Sequence, residues 1–474
     1  MGQPDRPIPD RPQPGDLPPA YGILGGQVHS SLLGGFVPQG IADPDTPSPH
    51  NPRGRETKPW EAGGRDGLVV VDLEIRSGKI AQIAPRGALQ LSPLTPCWDW
   101  RGGQIWPCFV DVHTHLDKGH IWERSPNPDG TFVSALATVQ RDSLGWTQGD
   151  LLARMEFGLT CSYRHGTQAL RTHLDSGGAL GPLVWEVFRE LRSRWADRLL
   201  LQGVCLVPGD YFLTAAGEAL ADEVAASGGI LGAVLFCEGD LPQQLDRIFA
   251  LAGERGLALD FHTDESGRVG DRALYAVAKA QLRHQLPQPI TCGHCCSLAV
   301  QPEPQLTEIL ATVVQAGLTI VSLPLCNLYL QDRQGDRTPR WRGIAPIQEI
   351  AAAGIPVALA SDNCRDPFYG FGDHDLWEVF RESVRIGHLD RPYGSWPQAI
   401  TTTPAQMMGL SHGGQICAGA GADLVLFRGR GFSEVLSRPQ VDRVVLRGGQ
   451  AIETTPPDYR DLDAVLLSPN PGQV

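Results

Sequence analysis

Short apolar runs alternate with amphipathic helical patterns over about 300 residues of this chain, from Trp106 to His412. The apolar runs include LLLQGVCLV, ILGAVLF, LALDF, LTIVSL and IPVALA, and the helical patterns include PLVWEVFRELRSRWA and QQLDRIFALAGERG. Repeated strand-helix alternation is typical of a parallel sheet with helical crossovers. A segment of this length suits a closed (β/α)8 TIM barrel with insertions, and a doubly wound open sheet is the competing architecture.

The two ends of the chain show a different pattern. The segment from Leu68 to Pro85 predicts a β-hairpin, and ADLVLFRG and VDRVVLRGGQAIET near the C-terminus predict further short strands. The first twenty residues are rich in Pro, Asp and Arg and predict a disordered arm, and the Pro/Gly-rich stretch from Pro38 to Gly67 predicts a long surface loop. We therefore expect an arm at 1–20, β structure from 21–105 and 413–474, and the strand-helix domain at 106–412.

Charge and cysteine content limit the partners and the compartment. The formal net charge is −13, from 53 acidic and 40 basic residues, which argues against nucleic acid or an anionic membrane as the main partner. No apolar run in the sequence reaches the roughly 20 residues of a spanning helix, and the first twenty residues lack the apolar centre of a secretory signal. The eleven cysteines include several inside apolar runs, which predicts a reduced, cytoplasmic protein.

Side chains that bind metals or protons follow four of the apolar runs. They are His113 and His115 in VDVHTHLDK, His262 and Glu265 in LALDFHTDES, His294 in ITCGHCCS, and Asp362 and Asn363 in VALASDN. In a TIM barrel, catalytic groups come from the carboxyl ends of several strands, so four strand ends favour the barrel over the open sheet. Imidazoles and a carboxylate together suit a single zinc- or iron-type cation.

The spacing of residues within the first two segments, VDVHTHLDK and LALDFHTDES, indicates how their polar side chains are arranged. The period of two puts His113 and His115 on one face of an extended segment, although two hydrogen-bonded core histidines are the alternative. Asp117 and Lys118 follow, and the carboxylate can orient an imidazole, or the two residues can form an ordinary exposed ion pair. Glu265 is placed to act as the proton shuttle that metal-assisted hydrolysis needs.

The last two segments allow more than one interpretation. His294 can be a ligand or a proton donor to a developing oxyanion, and the cysteines around it leave a structural zinc site as a separate hypothesis. Asp362 can bind the metal and accept a proton from its water. A helix cap or Asx-turn is the alternative for Asp362 and Asn363.

These segments together carry a family resemblance. With RTHLD, PLCNLYLQDR and GAGADLVLF, they make the sequence similar to the amidohydrolase superfamily, and within it to the mononuclear branch of bacterial cytosine deaminases and N-isopropylammelide amidohydrolase. The resemblance implies a distorted (β/α)8 barrel with a small β-sandwich formed by the N- and C-terminal segments. It also implies one divalent ion, zinc or iron, and possible homo-oligomers. The implied ligands are His113, His115, His262 and Asp362.

The resemblance also implies the catalytic roles and two departures in the substrate site. Glu265 is the implied proton shuttle to a ring nitrogen, and His294 and Asp362 are the implied groups that act on the attacking water. Cytosine deaminases read the pyrimidine with a glutamine where the loop LVPGDYF offers Gly209 and Asp210 here, and they carry a second aspartate where this chain has Asn363. Since an amide donates and accepts while a carboxylate only accepts, we expect a related ring rather than cytosine itself.

Two aromatic side chains are further candidates for substrate contact. The loop from Gly119 to Phe132 is expected to cover the pocket, with Trp122 or Phe368 stacking on a planar ring or simply packing. The predicted function is deamination of a small nitrogen heterocycle by attack of metal-activated water on an amidine carbon. Hydrolysis of a cyclic amide C–N bond with ring opening, and a non-catalytic binding barrel, are the alternatives.

Overall fold

The computed structural model describes residues 8, 11–34, 65–410 and 413–467. The described residues divide into two compact units. The first falls within Met1–Phe109, Asp390–Thr402 and Ser411–Thr455, and the second within Val110–Leu389, Thr403–Leu410 and Pro456–Val474. Most of the predicted arm and of the loop from Pro38 to Gly67 lies outside the described residues, and the domain boundaries drawn from the sequence stay a proposal.

Strands and helices follow one another in the order that the sequence patterns indicate. The strands are β1 Ala20–His29, β2 Leu68–Arg76, β3 Lys79–Pro85, β4 Cys97–Asp99, β5 Ile105–Pro107, β6 Phe109–Thr114, β7 Thr167–Asp175, β8 Leu200–Leu206, β9 Leu231–Leu235, β10 Leu259–Thr263, β11 Ile290–His294, β12 Thr319–Ser322, β13 Val357–Leu359, β14 Leu424–Leu426, β15 Val444–Arg447 and β16 Gln450–Ala451. The helices are α1 Phe132–Ser143, α2 Gln148–Arg164, α3 Leu180–Arg194, α4 Ala215–Ala226, α5 Leu241–Arg255, α6 Ala273–His284, α7 Glu303–Ala316, α8 Pro324–Leu330, α9 Ile347–Ala352, α10 Leu376–Gly387, α11 Thr402–Met407, α12 Phe432–Leu436 and α13 Asp463–Leu466.

The first unit is built from two four-stranded sheets, with the orders β3-β2-β1-β4 and β16-β15-β14-β5. Strands β2 and β3 pair antiparallel, which confirms the predicted hairpin. Its two turn residues, Ser77 and Gly78, have φ angles of 50° and 79°, as a tight two-residue hairpin turn requires. Segments from both ends of the chain therefore contribute β structure to this unit, and the face-to-face sandwich stays a prediction.

The second unit contains the sheets β6-β7-β8 and β13-β12-β11-β10-β9. Strands β7 and β8 pair in parallel, as do all neighbours in the five-stranded sheet, so the predicted α/β fold with parallel sheets is confirmed. Isolated parallel bridges join Val204 of β8 to Ile230 and Thr114 of β6 to Asp362. These bridges support a closed barrel, which stays a prediction.

Helical crossovers connect the parallel strands, and their ends are set by local chemistry. Helix α5, between β9 and β10, begins at an N-cap where the Asp240 side chain accepts a hydrogen bond from the Gln243 backbone N–H. It ends at Gly256, whose φ of 66° is a left-handed conformation that glycine adopts without a steric cost. Each such crossover returns the chain to the same edge of the sheet, so successive strands end side by side. Within the part of the chain that the structure describes, no helix is long and apolar enough to cross a membrane.

Candidate active site

The carboxyl ends of three strands bring histidines to one place. Strands β10 and β11 pair in parallel with His262 opposite Gly293 and Thr263 opposite His294. His113 is on β6, and its ring centroid lies 4.6 Å from that of His262. A Cβ atom on Gly293 would lie only 3.0 Å from Cε1 of His113, so glycine at this position leaves the space that the His113 ring occupies.

Asp362 is held against β6 by backbone contacts. Its N–H donates to the His113 carbonyl over 2.9 Å, and its own carbonyl accepts from Oγ1 of Thr114 over 2.8 Å. Oγ of the preceding residue, Ser361, donates to Asp111 over 2.5 Å. Asp362 has a φ of 63°, a left-handed conformation that non-glycine residues rarely adopt and that is common at functional sites. The side chain of Asp362 is thereby fixed beside the histidines of β6.

The four predicted metal ligands lie close together. Oδ1 of Asp362 is 3.5 Å from Nε2 of His113 and 3.3 Å from Nε2 of His115, and the Nε2 atoms of His115 and His262 are 3.3 Å apart. Ligands at about 2.1 Å from a tetrahedral zinc ion are separated by about 3.4 Å. The spacing of these atoms therefore fits a divalent cation of that size.

Burial and the lack of hydrogen-bond partners among the described residues also indicate that these side chains fit a divalent cation. Both carboxylate oxygens of Asp362, both ring nitrogens of His113 and Nδ1 of His262 are buried without a hydrogen-bond partner among the described residues. Burial lowers the pKa of His113, His115 and His262 well below the ordinary value, so these imidazoles are neutral and keep a lone pair for a metal. Burial raises the pKa of Asp362 to about 8, a cost that a nearby cation would remove.

Glu265 and His294 form a second group beside the ligands. Oε1 of Glu265 lies 3.3 Å from Nδ1 of His294, and Nδ2 of Asn327 lies 3.0 Å from the same nitrogen. Burial, with a smaller effect of the Asp362 carboxylate, raises the pKa of Glu265 well above its usual range. Burial also lowers the pKa of His294 to about 3. A carboxyl that holds its proton near neutral pH and a neutral imidazole are therefore in contact.

Lys118 is buried on the outer side of His115. Its Nζ atom lies 3.2 Å from Nδ1 of His115 and 2.8 Å from Oδ1 of Asp175. Burial alone would lower the pKa of Lys118, but the carboxylates of Asp117 and Asp175 outweigh it and raise that pKa. Of the two interpretations of Asp117 and Lys118 offered by the sequence, the exposed ion pair is therefore wrong, since both side chains are buried.

One histidine of the site was not assigned a role from the sequence. His173, on β7, has its ring centroid 3.9 Å from that of His113, and one ligand atom from each of His113, His115 and His173 lies within 4.8 Å of the other two. Its Nε2 is 3.3 Å from Oδ1 of Asp260, which also accepts from Arg171 over 2.8 Å through its other oxygen. The signal for His173 was present in RTHLD, where a histidine again ends a strand.

A cavity of about 290 Å³ opens onto these groups. Asn363 and Phe368 line it together with His115, His262, Glu265, His294 and Asp362, and contact of Asn363 and Phe368 with a substrate stays a prediction. Helix α1 supplies a wall that the sequence did not predict, formed by Phe132, Leu136, Val139, Gln140 and Ser143.

Three predicted substrate contacts lie elsewhere in the described structure. Gly209 and Asp210 begin a short 3-10 turn, and neither residue lines the cavity. Asp210 is exposed, and Gly209 lies against the side chain of Gln244. Trp122 packs against Gly370 and is also outside the lining. The geometry therefore gives no support to substrate contacts by these residues.

The chain is similar to several known proteins over most of its length. Residues 183–452 match the amidohydrolase family. A pterin deaminase from Rhizobium rhizogenes is 47% identical over 403 residues, which cover 85% of this chain and 92% of that protein. An N-isopropylammelide isopropyl amidohydrolase from a Pseudomonas species is 25% identical over 342 residues, or 69% of this chain and 80% of that protein.

Solved structures share the fold. The 5-methylcytosine deaminase from Klebsiella pneumoniae, liganded with 5-fluorocytosine, superposes with a TM-score of 0.74 at 19% identity, over 92% of this chain and 98% of that one.

Proposed function

The chain belongs to the amidohydrolase family, and on that premise we propose that it hydrolytically removes the amino group of pterin or a closely related bicyclic heterocycle. The observation that carries the proposal is the contact between Glu265 and His294 at the cavity, 3.3 Å apart, beside the four predicted ligands. The 47% identity to a pterin deaminase supports the choice of ring over cytosine.

The proposed site holds one divalent cation, zinc or iron, through His113, His115, His262 and Asp362. The ligand atoms are neutral imidazole nitrogens and a carboxylate oxygen, 3.3 to 3.5 Å apart in the measured pairs. Such a cation supplies Lewis acidity, which brings the pKa of a coordinated water to about 7. A closed (β/α)8 barrel, with these groups at one end of it, is part of the proposal.

Glu265 moves the proton in this proposal. Its raised pKa lets Oε1 hold a proton at neutral pH, and Nδ2 of Asn327 lies 3.4 Å from that oxygen and helps to fix it. The carboxyl protonates the ring nitrogen next to the amino-bearing carbon, and the Glu265 carboxylate so formed takes a proton from the adding water and passes it to the departing amine. The second proton of that water returns Glu265 to its starting state as the ring carbonyl forms. Ammonia then leaves and a ring carbonyl remains.

His294 positions and polarises an oxygen. Nδ1 of His294 accepts from Asn327, which puts the ring hydrogen on Nε2, and Nε2 is buried with no hydrogen-bond partner within the described ranges. Nε2–H is therefore available to donate to the oxygen that adds to the substrate carbon. Since the pKa of His294 is lowered to about 3, the ring stays neutral and acts as a hydrogen-bond donor.

The remaining wall of the cavity receives the ring. Phe368 and the apolar side chains of α1 offer flat and aliphatic surface, and Asn363 offers an amide. Nδ2 of Asn363 donates to Asp366 over 2.7 Å, so this contact fixes the orientation of the amide group. This combination of apolar walls with a few placed polar groups is typical of small-molecule sites.

Ammonia release tests the proposal. Purified, metal-replete protein is incubated with pterin, cytosine, an aminopurine and an aminotriazine, and ammonia and ring products are measured. One ammonia per pterin consumed, with a carbonyl in place of the amino group, is expected. Formation of a new carboxylate would identify ring opening of a cyclic amide instead, and neither product from any ring would favour a binding barrel. A cytoplasmic location and a homo-oligomeric state stay predictions from the sequence.

A further inference from the structure

A second group of metal-binding side chains lies behind strand β6. Thr114 follows His113, so by the alternation of a strand its side chain points to the opposite face. On that face, Oγ1 of Thr114 lies 3.5 Å from Nδ1 of His374. One ligand atom from each of His120, Cys364 and His374 lies within 4.8 Å of the other two. All three residues are at least 98% buried.

Three of the four ring nitrogens in this group lack hydrogen-bond partners among the described residues. Both ring nitrogens of His120 and Nε2 of His374 have no hydrogen-bond partner anywhere in the described chain. His165, close by in the fold, shows the ordinary alternative, since its Nε2 lies 2.8 Å from Oδ2 of Asp373. Burying an imidazole with neither nitrogen bonded is costly, and a bound cation is one way in which proteins offset that cost.

The ligand types of the three side chains suit a cation. Burial lowers the pKa of His120 well below the usual value and that of His374 to about 4, so both rings are neutral. Burial raises the pKa of the Cys364 thiol well above its usual range, a cost that coordination of a cation would remove, and the hydrogen bond from the His374 backbone N–H to this side chain acts in the opposite direction. Two imidazoles and one thiolate are the ligand types of zinc rather than of magnesium or calcium.

The surrounding backbone holds the group in place. His120 and His374 have φ angles of 63° and 53°, both left-handed. The His120 N–H donates to the Cys364 carbonyl over 3.0 Å, which ties the loop after β6 to the loop after β13. Gly158 of α2 leaves room beside His374, because a Cβ there would lie 2.9 Å from Nε2 of that ring.

We propose that His120, Cys364 and His374 form a second site, which binds a zinc-like divalent cation separately from the catalytic one. Three protein ligands leave the fourth position of a tetrahedral ion to a water molecule. The role of the site is structural, because the ion joins the two loops on the side of β6 that faces away from the cavity. The loop after β13 also carries Asn363 and Phe368, so the second site holds the cavity lining in place.

Cobalt loading tests this second site independently of catalysis. Cobalt bound to a thiolate gives a near-ultraviolet charge-transfer band, whereas the catalytic ligands proposed above are nitrogen and oxygen only. Full-length protein reconstituted with Co²⁺ should bind two equivalents and show the band. A cobalt protein without the band would overturn the second site whatever its deaminase activity, whereas a single equivalent with the band would contradict the proposed catalytic cation instead.

Matched variants assign the band to one thiol. Cys364→Ser should lose the band and about one equivalent of cobalt, and His374→Asn, which tolerates the left-handed backbone, should do the same. Cys326→Ser is the control, because Cys326 is buried beside Asn363 at the candidate active site, 3.5 Å from its Oδ1. Loss of the band in Cys326→Ser, or its retention in a soluble Cys364→Ser or His374→Asn protein, would contradict the assignment.

Discussion

Nζ of Lys118 lies 3.2 Å from Nδ1 of His115, on the side of the ring away from the Nε2 atom that faces Asp362. The same ammonium contacts Asp175 over 2.8 Å and lies 3.7 Å from Asp117. An ammonium can only donate, so Nδ1 of His115 accepts this contact and the hydrogen of the neutral ring lies on Nε2 while the contact is made. Coordination of a cation through Nε2 therefore requires that Nδ1 take up the ring hydrogen and that the Lys118 ammonium turn to its two carboxylates.

Lys118→Met should destabilise the fold by roughly 3–5 kcal/mol, because Asp117 and Asp175 lose their buried counter-charge. It should not weaken metal binding, because methionine keeps the apolar volume and removes a donor that holds the ring hydrogen of His115 on Nε2. Urea unfolding and metal titration against a competing chelator measure the two effects. Lys279→Met, at an exposed position of α6, is the control and should change neither property. Weaker metal affinity in Lys118→Met would contradict this account of the contact.

Glu265→Gln should reduce kcat by about 10²- to 10⁴-fold, because the amide has the same shape but cannot carry the proton. The metal content should stay at the wild-type value, since Glu265 is not among the four proposed ligands. Steady-state ammonia release and elemental analysis of the same preparation measure both. Glu308→Gln, at an exposed carboxylate of α7, provides the control. Turnover at the wild-type rate in Glu265→Gln would rule out the shuttle role.

Asn363→Ala should change substrate preference rather than metal binding. Its amide lines the cavity and is oriented by Asp366, so its loss removes a directed polar contact to the ring while the ligand atoms stay in place. We expect KM for pterin to rise by about 10-fold or more, which corresponds to the loss of one hydrogen bond. The ratio of kcat/KM between pterin and cytosine is the measurement. An unchanged ratio would show that Asn363 does not read the ring.

The stability of the first unit should fall at acid pH through His29. Burial lowers the pKa of His29 to about 4 in the folded protein, against about 6.5 when exposed. The unfolded chain therefore takes up the proton first, and stability that is fully present above pH 6.5 is lost as pH falls towards about 4. The loss is at most about 3 kcal/mol. Urea unfolding from pH 7 to pH 4 should show that the free energy of unfolding depends less steeply on pH in His29→Gln than in the wild type. The exposed variant His388→Gln is the control and should keep the wild-type dependence. Equal slopes in all three proteins would contradict the role of His29.

Local sequence signals were enough to find the strand ends and the residues that follow them. His262 and Asp362 each come directly after a short apolar run, and parallel pairing then brings such positions to one edge of the sheet. Membership of the amidohydrolase family, expected from the resemblance of these segments, is confirmed. The order and type of the elements predicted that these strand ends meet, and the choice of His113, His115, His262 and Asp362 as the four ligands came from the family resemblance.

Features that depend on packing between distant segments were not accessible in this way. Burial of Lys118 arises from its contact with Asp175 on the next strand, and sequence spacing cannot distinguish that contact from an exposed ion pair. His120 and His374 are separated by more than 250 residues and follow no spacing rule. Gly209 and Asp210 were selected for their place in a loop, and they lie in a 3-10 turn, Gly209–Leu213, outside the lining of the cavity.

Helix α1 contributes five side chains to the cavity and none to the proposed ligand set. In the proposed function, groups at the strand ends act on the reacting bond, and α1 contributes, with Asn363 and Phe368, to the shape of the cavity that receives the ring. A relative that inherits the same strands can therefore acquire a different substrate through changes within the 12 residues of one helix. Divergence of this kind leaves the reacting centre untouched, so homologues with identical histidines and aspartates need not share a substrate.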